Sequence, residues 1–127
     1  MKLEGLDIII NINLENGIYQ FYCESATGKT RLYDAIKSYQ YEGYNVTAYS
    51  YFNLQDGLDL EEVINRTHPQ LLLIDRYDMF NDMYHEAILK VSKNCIVLID
   101  SKDVLTFSDY YTTCEINMTP TTIEVNR

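Results

Sequence analysis

Two stretches of this 127-residue chain, Leu71 to Ile74 and Cys95 to Ile99, are unbroken apolar runs. Each is too short to be an ordinary helix. Neither shows the apolar-polar alternation of a strand with one wet face, so each reads as a strand buried on both sides. Such a strand needs cover above and below, which points to a parallel sheet with helices packed on it.

The flanking segments supply that cover. Leu32, Ala35, Ile36 and Tyr39 fall at i, i+3, i+4 and i+7, a helical stripe that Gly43 ends. Asp59, with Glu62 three residues on, reads as the N-cap of a helix carrying Leu60, Val63 and Ile64, and Pro69 closes it. Phe80, Met83, Tyr84, Ala87, Ile88 and Val91 form another stripe of 3.6 period. Val46 to Phe52 alternates as a strand does. Earlier, Leu6 to Ile12 and Ile18 to Cys23 read as two strands joined in a hairpin by Glu15-Asn16-Gly17. Near the other end, Thr113 to Met118 and Thr121 to Val125 read as short strands separated by Thr119-Pro120. Neither a repeat nor a Gly/Pro/Ser-rich linker divides the chain. The expected fold is one α/β domain over residues 1–127. It is a three-layer sandwich with a mostly parallel central sheet and antiparallel strands at its N- and C-terminal ends.

Composition narrows the function classes. Hydrophobic residues are 46% and charged residues 23%, the balance of a globular protein. The apolar runs fall short of the roughly 18 residues of a membrane span. Met1 to Asp7 lacks the basic-then-apolar pattern of a leader, so the expected compartment is the cytoplasm and no membrane partner is expected. Cys23, Cys95 and Cys114 lie far apart without metal-site or disulfide spacing and read as buried thiols. A net charge of -9 argues against charge-driven binding to nucleic acid. It leaves room for a nucleotide, whose few phosphates can be held by backbone N–H groups and one lysine. Twelve tyrosines without a tryptophan read as half-buried aromatic packing, with a sticky interaction face as the alternative.

The chemistry-bearing segment is Cys23-Glu24-Ser25-Ala26-Thr27-Gly28-Lys29-Thr30, placed after a strand and opening a helix. The phosphate-binding pattern G-x-x-x-x-G-K-[ST] keeps its Gly-Lys-Thr end here, with Cys23 at the first glycine. Backbone N–H groups from about Ala26 to Thr30 can curl round an anion at a helix head, where orphan donors and the dipole favour negative charge. Lys29 would then reach the β- and γ-phosphates and the Thr30 hydroxyl would ligate Mg²⁺. Glu24, Ser25, Thr27, Gly28 and Arg31 complete the expected nucleotide-binding set. Asp75, at the end of the apolar run Leu71 to Ile74, falls where ligands of open α/β sheets bind and is the second expected Mg²⁺ residue.

On these motifs the chain resembles the RecA/KaiC-like branch of P-loop NTPases, with a degenerate first motif. The likeness covers roughly residues 6 to 100. The stretch Asn13 to Gly17, leading into Ile18 to Leu32, is also similar to the opening of ABC-type ATPase domains, but no LSGGQ-like signature follows. The resemblance implies a P-loop-type sandwich, ATP and Mg²⁺ as cofactors, and a strand between the two motif-bearing strands, a place Cys95 to Ile99 would fill. Asp100 and Ser101 would end that strand where the family carries a γ-phosphate sensor, a simple strand-end turn being the other reading of both. It also implies oligomers completed by a trans-acting arginine, but Arg31, Arg66, Arg76 and Arg127 carry no identifying context.

Hydrolysis would need a carboxylate to orient water. The family's two places for it hold Arg76 and Asn53, and neither side chain is a base at neutral pH. Asp78 is the substitute, its other role being a helix cap. His68 and His85 read as loop and surface residues. The expectation is an ATP-binding switch or accessory module with weak or absent hydrolysis, acting through a protein partner or its own oligomer. The alternatives are an active ATPase using Asp78 or a partner's residue, and an interaction module that has lost its nucleotide.

Overall fold

A computed structural model of the chain describes residues 1–21, 26–38, 40–80, 84–101 and 111–127. Its strands are β1 (Lys2–Glu4), β2 (Ile9–Asn13), β3 (Gly17–Phe21), β4 (Val46–Tyr49), β5 (Leu71–Ile74), β6 (Ile96–Ile99), β7 (Tyr111–Met118) and β8 (Thr122–Asn126). Its α-helices are α1 (Ala26–Ser38), α2 (Tyr51–Gln55), α3 (Leu60–Thr67) and α4 (His85–Val91), with a 3-10 helix over Tyr77–Phe80. All eight strands join one sheet in the order β1-β2-β8-β7-β3-β6-β5-β4.

The double burial of β5 and β6 organises one half of this sheet. Leu71, Leu73, Ile96 and Leu98 enter a core that holds Leu32, Ala35 and Ile36 of α1. The alternate residues Leu72, Ile74, Val97 and Ile99 enter a second core with Leu60 and Ile64 of α3, Phe80, and Ile88 of α4. Here β7, β3, β6, β5 and β4 run parallel as successive neighbours.

The other half is built differently. Leu3, Ile10, Ile12, Ile123 and Val125 join the core beneath α1, whereas Asn13, Glu115, Asn117 and Glu124 alternate onto an exposed outer face. A strand with one polar face needs no second layer. The β1·β2 and β7·β8 pairs are antiparallel, and β2·β8 is parallel.

The expected helix-flanked, P-loop-type three-layer sandwich is therefore corrected. The molecule is a mixed eight-stranded sheet curled into a half-barrel, with only four short α-helices among the described residues. The β2–β3 hairpin is also overturned. Ile18 and Tyr19 point to opposite faces and both are buried, so β3 takes β6 and β7 as neighbours in the interior of the sheet. The β7–β8 pair inserts between the arms of that expected hairpin.

Smaller differences have local causes. The strand expected to reach Phe52 stops at Tyr49, because Ser50 caps a new helix. Its hydroxyl accepts from Phe52 N–H while Asn53 Oδ1 accepts from Ser50 N–H, a capping box that starts α2. The helix expected from Phe80 begins at His85, behind the 3-10 helix. Asp59 does cap α3, accepting from Glu62 N–H. Cys95 and Cys114 are buried thiols, and burial pushes both up to about 12. No described helix is long and apolar enough to cross a membrane.

The two halves predict opposite sensitivities. Leu98, fully buried, should cost about 3 kcal/mol on truncation to alanine. Asn117→Ala, on the uncovered face, should stay within about 0.5 kcal/mol of the parent in the same urea titration. A comparable loss at Asn117 would contradict a bare outer face.

Candidate functional site

The register of the parallel strands builds one edge of the site. Tyr49 pairs with Ile74, and Ile74 with Ile99, so the next residues, Ser50, Asp75 and Asp100, sit side by side past the strand ends. Backbone bonds fix them there: Asp75 N–H donates to Tyr49 O and Asp100 N–H to Ile74 O, both at 2.9 Å. Ile74 and Ile99 face α3 and α4, so the pleat turns the residues after them toward α1.

Helix α1 supplies the opposite wall. Lys29, Tyr33 and Lys37 are spaced at i, i+4 and i+8, one row along the helix. This row meets the strand ends in turn. Lys29 Nζ lies 2.9 Å from Asp100 Oδ1 in an ion pair whose side chains are only 18% and 17% exposed. Tyr33, the next in the row, lies near enough to Asp75 to feel its charge. Lys37 Nζ sits 6.0 Å from the Tyr33 ring centroid and 5.2 Å from that of Tyr49.

The electrostatics centre on Asp75. Burial, and then a hydrogen bond with Asp100 and that residue's charge, hold its carboxyl above the ordinary carboxylate range, with Arg76 and Lys29 opposing. Burial comes first again in raising the Tyr33 phenol and lowering the Lys37 ammonium. A lysine, two carboxyls and a phenol thus converge from α1, β5 and β6, a set of groups that suits a ligand carrying negative oxygens and a hard cation.

The sequence-derived site residues divide among several places. Lys29 and Asp75 come together, as one motif following β3 and another following β5 would require. Asp100 joins them through Lys29 and Asp75. Thr30 is exposed on α1 beside Lys29. Gly28 is buried, and a Cβ there would stand 3.4 Å from Ile116 Cγ2, so its lack of a side chain lets α1 close on β7. Arg31 turns away from the strand ends: its guanidinium donates to Thr119 O and Pro120 O at 2.6 Å each, tying α1 to the β7–β8 turn. Glu24 and Ser25, with Cys23, lie outside the described residues, as do the side chains of Ala26 and Thr27. Asp78 falls within the 3-10 helix, and its side chain likewise lies outside the description. Asn53 is committed to the α2 cap.

Sequence reasoning missed Tyr33 and Ser50 as site residues. The i+4 spacing from Lys29 was the available signal for Tyr33; Ser50 had none short of the strand register.

Asp75 predicts a stability signature. The folded state holds its proton more tightly than the unfolded chain. Its contribution is therefore fully present below the ordinary carboxylate range and is lost as pH rises through the raised folded value. Asp75→Asn keeps a donor toward Asp100 but cannot ionise. In denaturant melts the variant should be the more stable at neutral pH, with an advantage that shrinks on acidification. A variant destabilised equally at every pH would contradict this.

Comparison of the chain with protein-family models, with curated proteins and with solved structures finds no match.

Proposed function

We propose that this chain binds the polyphosphate of a nucleotide, ATP, together with Mg²⁺, where α1 crosses the ends of β4, β5 and β6. It would work as a nucleotide-responsive switch or accessory module with weak or absent hydrolysis. The observation that carries the reading is the Lys29–Asp100–Asp75 cluster: a lysine ammonium at 2.9 Å from one carboxylate, beside a second carboxyl that burial and the Asp100 neighbour hold above the ordinary carboxylate range. A closed fold gains little from such a cluster, because half-buried charges offset their attraction with lost solvation. The same groups are well chosen for a ligand that brings its own charge.

The donor set fits magnesium phosphate. Lys29 would pass from Asp100 to the β- and γ-phosphates. Asp75, as the carboxylate, and the Thr30 hydroxyl would hold Mg²⁺. Among the described residues no group of three or more His, Cys, Asp or Glu could form a metal cage by itself. That suits Mg²⁺, which keeps waters and takes only one or two carboxylates beside substrate phosphates. When bound, the ion would neutralise charge on the phosphate oxygens. The place of β6 between β3 and β5 supports the same reading, since the resemblance implied a strand between the two motif-bearing strands.

Turnover has weaker support than binding. Asn53 is an amide spent on a cap, Arg76 is a guanidinium, and Asp100 is paired with Lys29. None of them is a free base for water.

Thermal unfolding tests the proposal. Mg·ATP at a hundredfold excess over Kd adds about 2.7 kcal/mol to the folded state, enough to raise the wild-type Tm by several degrees. Lys29→Ala should lose the shift, and phosphate release should remain at background. No shift for the wild type would defeat the reading; Lys29-dependent phosphate release would replace it with an active ATPase.

A further inference from the structure

The ammonium that the polyphosphate reading needs is already engaged. Lys29 Nζ stands 2.9 Å from Asp100 Oδ1, and both side chains are largely covered. Asp75 follows the neighbouring strand in register with Asp100, so two carboxyls adjoin one ammonium past the strand ends. These three groups together offer an approaching anion no net positive charge.

The carboxylate of Asp100 is not what ends β6. The backbone does that: Asp100 N–H donates to Ile74 O at 2.9 Å, and Asp100 O accepts from Tyr77 N–H at 2.8 Å. An asparagine would make both bonds equally well. The same bonds pin Asp100 at the strand end, so its carboxylate stays beside Lys29 when another anion arrives. Such an anion meets two opposing terms. It must part a close, charge-assisted pair, and it is then held next to the carboxylate it displaced. A phosphate that brings a divalent cation offsets the second term, because the ion neutralises part of the crowded charge.

We propose that Asp100 is the specificity-determining residue of this site, an internal competitor for Lys29 that restricts binding to nucleotide complexed with Mg²⁺ and rejects the free polyphosphate. This rests on the polyphosphate reading above and adds the condition under which the site opens. The free energy of parting Lys29 from Asp100 is subtracted from nucleotide affinity, so removing the carboxylate tightens binding. The gain is larger for free ATP, which carries no cation to offset Asp100, than for Mg·ATP. Asp75 remains in either case to hold the ion.

Calorimetric titration of the purified wild type and of Asp100→Asn, each with Mg·ATP and with ATP in EDTA, tests this. The variant keeps the side chain's shape and both backbone bonds. The expected result is Mg·ATP bound about tenfold tighter by Asp100→Asn and free ATP about a hundredfold tighter, so that the preference for the Mg²⁺ complex narrows about tenfold. Glu124→Gln removes one negative charge from the uncovered outer face of β8 and should bind both forms as the wild type does. Equal or weaker Mg·ATP binding by Asp100→Asn, or an unchanged preference for the complex, overturns the assignment of Asp100 and leaves the site standing. Failure of the wild type to bind Mg·ATP overturns both. Should Asp100→Asn fold poorly, the Asp100 ¹³Cγ resonance of labelled wild type must move with Mg·ATP, as its ammonium partner leaves, and stay put with the same concentration of ATP in EDTA. A resonance unmoved by Mg·ATP, or moved equally by free ATP, overturns the proposal.

Discussion

Complete burial of β5 and β6 on both faces governs the rest of this fold. Leu71 to Ile74 and Ile96 to Ile99 carry no polar side chain to leave in water, so apolar layers must form above and below them. Helix α1 closes one side, and α3, the 3-10 helix and α4 close the other. Parallel pairing in strict register follows, and it brings the first polar residues after each strand to one line. Ser50, Asp75 and Asp100 are neighbours because the strands before them are dry. The site is a consequence of the core.

That line of polar residues would be a poor way to end three strands if stability alone mattered. Burial holds the Asp75 carboxyl above the ordinary carboxylate range, and Asp100 engages the ammonium of Lys29 with both side chains largely covered. Desolvation opposes each of these arrangements. In the structure the ion pair with Asp100 neutralises Lys29. On the proposed reading, that pair would be exchanged for bonds to a phosphate, giving a two-state element that a nucleotide would bias.

Much of this was legible in the sequence, and the failures have identifiable causes. The apolar runs announced β5 and β6, the Asp59–Glu62 spacing announced the α3 cap, and Leu32, Ala35 and Ile36 announced the buried face of α1. The nearness of Lys29 and Asp75 was foreseeable from the strands they follow. Local pattern misled where pairing is non-local. An Asn-Gly turn between two strands reads as a hairpin, yet nothing near Gly17 reveals that β7 and β8 will slot between them. The polar alternates of β2, β7 and β8 signalled a sheet with one wet face, a signal outweighed by the parallel run in the middle of the chain. Ser50 looked like the continuation of a strand because a capping box spans only four residues. The Asp100 pairing joins residues 71 apart and could be seen only in three dimensions.

The account stands on Lys29 exchanging a carboxylate for a phosphate. The most direct measurement is a crystal structure of the chain saturated with Mg²⁺ and a non-hydrolysable ATP analogue. It should show Lys29 Nζ on the β- and γ-phosphate oxygens, the bond to Asp100 broken and the cation at Asp75. An analogue bound elsewhere, with the Lys29–Asp100 pair still closed at its present 2.9 Å, would contradict it.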